Sequence, residues 1–285
     1  MFWQILANEN TKILRRRLFW VEITLVALIV IGLLLALYIT VETNRNGAGL
    51  PSEERLMLLQ TVTWPGALVT VLSLTSGDGI GGLFLVILVG AVTAQEYTWR
   101  TLQLWLSRGI PRSLLVMAKF SALLLSAVLI VLAALIIGGA ITAYFTIQSN
   151  GSLPLEQVDF LHLVMSTIRT IYTLLPYGAL TFLLAVASRS TVVAISGGLA
   201  YTLLLEDVLM QVSGLLGERL SQITAYLPGS LANSLLTLNQ STILIKSSLE
   251  VGSITPLQAG IGIGVWTLFF LGLSLWIFQR QDLSE

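Results

Sequence analysis

Long apolar runs alternate with short polar stretches along this chain. Val21 to Ile39 is the first run, and a second ends at Ala94 after starting between Leu68 and Ile80. A third extends from about Leu114 to Phe145, a fourth from Thr170 to Ser188 between Arg169 and Arg189, a fifth from Ser190 to Leu209, and a sixth from Ala259 to Phe278. A helix needs about 20 apolar residues to cross the hydrocarbon of a bilayer, and the third run exceeds that, so it is expected to tilt or project. Backbone groups in lipid must be satisfied within the segment, and the period-2 alternation of a membrane barrel is absent. The pattern predicts an all-α integral membrane protein with six transmembrane helices. The first run is too long for a signal-peptide core and is followed by no small-residue cleavage site, so it is expected to be retained.

Two further elements come from the polar stretches. "FWQILANENTKILRRRLFW" mixes apolar residues with Lys12, Arg15, Arg16 and Arg17. On a helix Phe2, Ile5, Leu6, Ile13, Trp3 and Leu14 fall on one broad side. Residues 1–20 are therefore predicted to form an interfacial helix, with Trp3, Lys12, Arg15, Arg16 and Arg17 as anchors in the lipid headgroup zone. Between spans two and three, residues 94–112 are too polar to cross lipid and too apolar for a flexible linker. Placed on one helix, Trp99, Leu102 and Leu106 share a face, and Tyr97 and Leu104 lie roughly opposite. A surface helix needs one apolar stripe, so two stripes imply two contacts: the membrane domain and another protein. Arg108, Gly109 and Pro111 stop this helix, and Arg112 begins the next.

Composition agrees with a membrane-embedded chain. Of 285 residues, 55% are hydrophobic and 11% charged, with a mean hydropathy of +0.86. Soluble domains carry about 25% charged residues. Net charge is zero, which gives no basic balance pointing to nucleic acid. Cysteine is absent and His162 is the single histidine, so disulfides, thiolate metal sites and histidine metal clusters are excluded.

Charge position adds an orientation. With both termini on the cytoplasmic side, ten Lys and Arg fall inside and five outside, as the positive-inside rule requires. The carboxylates divide the other way. Residues 210–257 then form the largest external loop, where "GLLGERLSQITAYLPGSLANSLLTL" predicts helices separated at Pro228-Gly229. Asn150 and Asn239, in N-x-S triplets, face outside.

Candidate chemistry is sparse. "GDGIGG", Gly77 to Gly82, fits a dinucleotide-binding spacing, but it sits in a membrane span without the preceding strand that use requires. A bend or close helix packing explains its glycines, as it does Gly260-x-x-x-Gly264 and Ser196-Gly197-Gly198. An acid at membrane depth often lines a pathway, which makes Asp78, Glu206 and Asp207 pathway candidates; the alternative is an ordinary polar end of a span. No G-x-x-x-x-G-K-[ST] loop is present, so no phosphate site of that kind is expected.

Several features resemble the ABC-2 type permeases of ABC transporters. The residues that carry the likeness are Glu96, Arg100-Thr101-Leu102, Leu104 to Ser107, "RGIPR" and Lys119, with "NENTKILRRRLFW" before the first span and "ASRSTVVAISGG" before the fifth. Arg100 stands where the family often has Gly, and the proline falls one place later in the turn. The resemblance implies a transmembrane permease subunit that exports its substrate, paired with a second permease subunit as a homodimer or heterodimer. ATP and Mg would be bound by a separate ABC ATPase subunit, and this chain would itself be no enzyme. It also implies that 94–112 is a cytoplasmic coupling segment, with Glu96, Arg100, Thr101, Leu102, Trp105, Leu106, Ser107, Arg108 and Arg112 engaging the ATPase. Glu96 would open the coupling helix, and Leu102, Trp105 and Leu106 would supply its apolar contact. The location implied is a plasma membrane, the inner membrane of a bacterium, with lipid and no nucleic acid among the partners. A single permease domain spans 1–285 on this reading. A self-contained secondary transporter or channel is the competing reading, and an intramembrane enzyme a third.

Overall fold

The computed structural model describes residues 2–43, 58–59, 61–99, 101–154, 156, 158–216, 222–240 and 254–281. Every regular element among them is helical. In order they are α1 (Phe2–Leu14), α2 (Arg17–Thr43), α3 (Gly66–Leu74), α4 (Ile80–Thr98), α5 (Thr101–Ser107), α6 (Arg112–Asn150), α7 (Phe160–Ser188), α8 (Thr191–Ala200), a π-helical turn (Tyr201–Leu205), α9 (Glu206–Leu216), α10 (Pro228–Gln240) and α11 (Pro256–Arg280). Six helical segments are long and apolar enough to cross a membrane: α2, α4, α6, α7, the run from α8 into α9, and α11. The chain is a multi-pass membrane protein.

Helix ends follow local chemistry. Asp159 caps α7 by accepting from the backbone N–H groups of Leu161 and His162. Thr255 and Gln258 form a capping box at α11, with Pro256 at its first position, where a missing N–H costs nothing. Gly151 ends α6 at φ 76°, a left-handed conformation that suits glycine.

The structure redraws several predicted boundaries. The interfacial helix does not reach residue 20: α1 stops at Leu14, and Arg17 already opens the first span. The fourth span starts at Phe160, so Arg169 lies within its helix. The second span is discontinuous. α3 runs along α6 from Trp64, whose indole N–H donates to the Gly139 carbonyl and the Thr142 hydroxyl, to Val71 beside Gly138. The chain then kinks at Thr75–Gly79 before α4 continues toward the end of the bundle that carries both termini. The "GDGIGG" glycines make this kink possible. A Cβ on Gly81 or Gly82 would collide with the backbone carbonyl of Thr75 or Gly77.

α10 is a re-entrant helix, which the loop expected over 210–257 did not foresee. Its first turn lies beside Tyr177, near the middle of α7, where Gly229 approaches the Tyr177 hydroxyl. Its last turn reaches Arg169 and His162, toward the far end of α7. A helical turn at residues 222–224 precedes α10, so two helices are separated here as expected, with the break at 225–227 and Pro228-Gly229 opening the second.

Candidate functional site

The connection between α4 and α6 sits at the end of the bundle that carries both termini. It is not one helix. α4 continues through Thr98, and a separate helix of two turns, α5, follows. The facing pattern drawn across Trp99 and Leu102 therefore does not hold, because they belong to different elements. Within α5, Leu102 is buried in the core, which overturns its predicted role as an outward contact. Leu104 is 63% exposed, and Ser107 and Arg108 are also exposed. Trp105 and Leu106 are half-buried. The Trp105 ring lies between two cations, Lys12 Nζ at 5.2 Å and the Arg108 guanidinium at 5.9 Å from its centroid. The Thr101 hydroxyl reaches back to the Glu96 carbonyl at 3.5 Å, and Ser107 bonds the Leu104 carbonyl. Gly109 turns the chain at φ 75°. Arg100 lies outside the described residues.

Glu96 does not open α5. It occupies the last turns of α4 and is buried, where a carboxylate gains nothing from the helix dipole. Its partners are ionic. Lys12 Nζ approaches Glu9 Oε1 at 2.7 Å and Glu96 Oε1 at 3.5 Å. Lys119 Nζ approaches Glu9 Oε2 at 3.1 Å and pairs with Glu96 Oε2. Each carboxylate thus gives one oxygen to each lysine, closing a ring of alternating charge between α1, α4 and α6. A cavity of about 10 Å³ beside it is lined by Glu9, Glu96, Lys119 and apolar neighbours. Burial pushes the Glu9 carboxyl upward, but Lys119 and Lys12 outweigh it and hold the group below its ordinary value. Burial lowers the Arg16 guanidinium, against the opposing pull of Glu96 and Glu9.

α1 is turned opposite to expectation. Ile5, Glu9 and Ile13 face inward against α6, while Gln4, Asn8 and Thr11 are exposed. Lys12 and Arg16 serve protein contacts: Lys12 in the ring, Arg16 bonded to Gln95 Oε1 at 2.6 Å and stacked over Trp99. Trp3, Arg15 and Arg17 remain exposed. Arg112 looks away from solvent partners too. Its Nη1 donates to the carbonyls of Phe278, Gln279 and Gln281, which ties the start of α6 to the end of α11. Gln281 also accepts from the Tyr97 hydroxyl and donates to the Val186 carbonyl.

The pathway candidates are not brought together alike. Asp78 is exposed at the kink and accepts from the Ser76 hydroxyl. Glu206 is 3% exposed inside the fifth span, so it is no ordinary polar end. The Tyr177 hydroxyl donates to it at 2.8 Å and the Gly229 N–H at 3.2 Å. The Asp207 side chain lies outside the described residues. The π-turn explains the burial. α8 turns Ala194 and Gly198 inward. At roughly 100° per residue, an unbroken α-helix would bring Leu205 back to within about 20° of Ala194. The extra residue in the π-turn hands that inward place to Glu206, and Leu205 is 47% exposed.

A family model described as ABC-2 family transporter protein matches residues 3–283. The chain belongs to the ABC-2 transporter family. It is thus a membrane-spanning permease of the ABC-2 type, a transport subunit within an ABC transporter system. No curated protein matches the chain. Among residues of this ABC-2 permease that sequence reasoning missed, Glu9 carries a signal in its i, i+3 spacing to Lys12; Glu96 was named, but not its pairing with Lys119. Tyr177 and Gly229 carry none.

Proposed function

We propose that this permease exports its substrate by coupling to a separately encoded ABC ATPase, with α5 as the coupling helix. ATP and Mg bind in that ATPase, and two permease subunits, identical or different, form the membrane pore. Both termini and α5 lie on the cytoplasmic side of a plasma membrane, in a bacterial inner membrane.

The observation that carries this reading is the mounting of α5. Leu102 is buried and anchors it, Leu104, Ser107 and Arg108 project from it, and the charge ring and Arg112 tie its two flanks to α1, α6 and α11. A short helix held at both flanks moves its neighbours when pushed, as transmission of a rigid-body displacement demands. The apolar contact is Leu104 with the exposed edge of Leu106, and Ser107 and Arg108 form its polar rim. Trp105 is a brace within the permease more than a docking anchor.

The test is co-purification of the permease with its ATPase, followed by ATP hydrolysis in proteoliposomes. Leu104→Asp is expected to abolish the complex while the permease alone keeps its size-exclusion profile. Transport by the permease without any ATPase would favour a secondary transporter.

A further inference from the structure

We propose that Glu206 is the latch of an outer gate formed by the re-entrant helix α10, and that this latch opens and closes in each transport cycle. The inference rests on the export reading above and assigns a part to one buried residue.

α10 is gripped at both ends by side chains that satisfy backbone groups its helix leaves unpaired. At its first turn, the Glu206 carboxylate accepts from the Gly229 N–H at 3.2 Å and from the Tyr177 hydroxyl at 2.8 Å. At its last turn, Arg169 Nη1 donates to the Leu238 carbonyl at 3.4 Å and to Asn239 Oδ1 at 3.2 Å. The two grips differ in what holds them. Arg169 projects from the regular helix α7. Glu206 follows the π-turn, whose backbone pairing is the least regular in the span and which alone directs this side chain inward. π-turns occur often at functional sites.

Gly229 fits a latch more than a permanent weld. A Cβ there would stand 2.5 Å from Glu206 Oε2 and 3.3 Å from the Tyr177 hydroxyl. The contact at Gly229 itself is therefore polar, made with Glu206 and the Tyr177 hydroxyl, while Leu231, further along the same turn, packs against Gly262 of α11. Restoring the ordinary helical register at 201–205 would turn Glu206 away by about one residue's rotation, roughly 100°. That would remove the polar hold on the first turn of α10 and leave it only the apolar packing of Leu231 on α11, while Arg169 still holds the last. The movement is a swing about the far end, which unseats the inner end of α10 from the middle of the bundle.

The absence of native cysteine allows a direct test. Ser234, in α10, is 6% exposed, and a Ser234→Cys reporter reads the seating of the helix. In the reconstituted permease–ATPase complex, reaction of this reporter with a membrane-impermeant maleimide is expected to be slow at rest and about tenfold faster during ATP turnover. Glu206→Ala is expected to raise the resting rate by about tenfold, the scale set by leaving the buried Gly229 N–H without its acceptor. Gly229→Ala is expected to do the same. A reporter that stays shielded throughout turnover in a complex that hydrolyses ATP overturns the gate. A resting rate unchanged by both Glu206→Ala and Gly229→Ala overturns the latch. A permease that supports no ATP hydrolysis with any ABC ATPase overturns the export reading instead, and the resting rates still judge the latch.

Discussion

Glu96, near the end of α4, and Lys119, near the start of α6, form a buried ion pair across the turn that carries α5. The pair does not stand alone, since Glu9 and Lys12 complete it into a ring. Removing one partner of a buried pair costs about 3–5 kcal/mol, because the other charge stays behind. Lys119→Met is therefore expected to lower the stability of the detergent-solubilised permease by about that amount in thermal unfolding. The exchange Glu96→Lys with Lys119→Glu should fail to restore it. The new lysine would face Lys12, and the new glutamate would face Glu9. Full rescue would show an isolated pair.

Acid should loosen α1. The Glu9 carboxyl is held below its ordinary value of 4.5. A group with a depressed native value stabilises the fold above its unfolded value, and that contribution is lost as pH falls through the native one. Docking of α1 is thus expected to be unchanged by pH down to the region of 4.5 and to weaken below it. An Ile13→Cys reporter, 1% exposed in the structure, should then react faster with an acid-active pyridyl disulfide, relative to a free thiol measured at the same pH. In a Glu9→Gln background the excess over the free thiol should no longer depend on pH.

The two leucines of α5 should part company. Leu102→Asp places a charge in the core and is expected to unfold or misassemble the permease, read as loss of the monodisperse size-exclusion peak. Leu104→Asp is expected to leave that peak intact and to remove the ATPase. Identical behaviour of the two would mean that α5 does not present the faces described.

Arg112→Ala should fray the end of α11. Hydrogen bonds from a charged donor contribute about 1.5–3 kcal/mol each at most, and less where water competes. Hydrogen exchange over residues 276–280 is expected to quicken while the middle of α11 stays protected.

Orientation has its own measurement. Ser107→Cys and Ser152→Cys are exposed positions at opposite ends of α6. In sealed cells an impermeant reagent should label Ser152→Cys and spare Ser107→Cys.

Six spans were legible in the sequence because length and apolarity alone decide them. The π-turn was not, since nothing in "YTLLLED" distinguishes it from an ordinary helical turn; its consequence, the burial of Glu206, was hidden with it. The direction α1 faces was equally hidden. Its apolar side fits a lipid surface or a neighbouring helix, and only the position of Lys119 beside Glu9 decides for α6. For "GDGIGG" the sequence left a bend and close helix packing both open; the structure uses both, a kink at Thr75–Gly79 and buried Gly81 and Gly82 in the first turn of α4. The segment between the second and third spans was legible as a helical element with two unlike faces, but Leu102, expected to face outward, is buried and Leu104 is exposed.

The packing of α1 against α6 also fixes an order of events during synthesis. Glu9 and Ile13 leave the ribosome long before Lys119 exists. Until the third span has been made, the inward side of α1 has no seat, and two acidic or apolar faces of the nascent chain wait uncovered. Closure of the ring is thus a late step in biogenesis, one that reports that the first three spans have been inserted in their proper sense. A chain with its third span inverted carries Lys119 to the wrong side of the bilayer and leaves its own amino-terminal helix undocked.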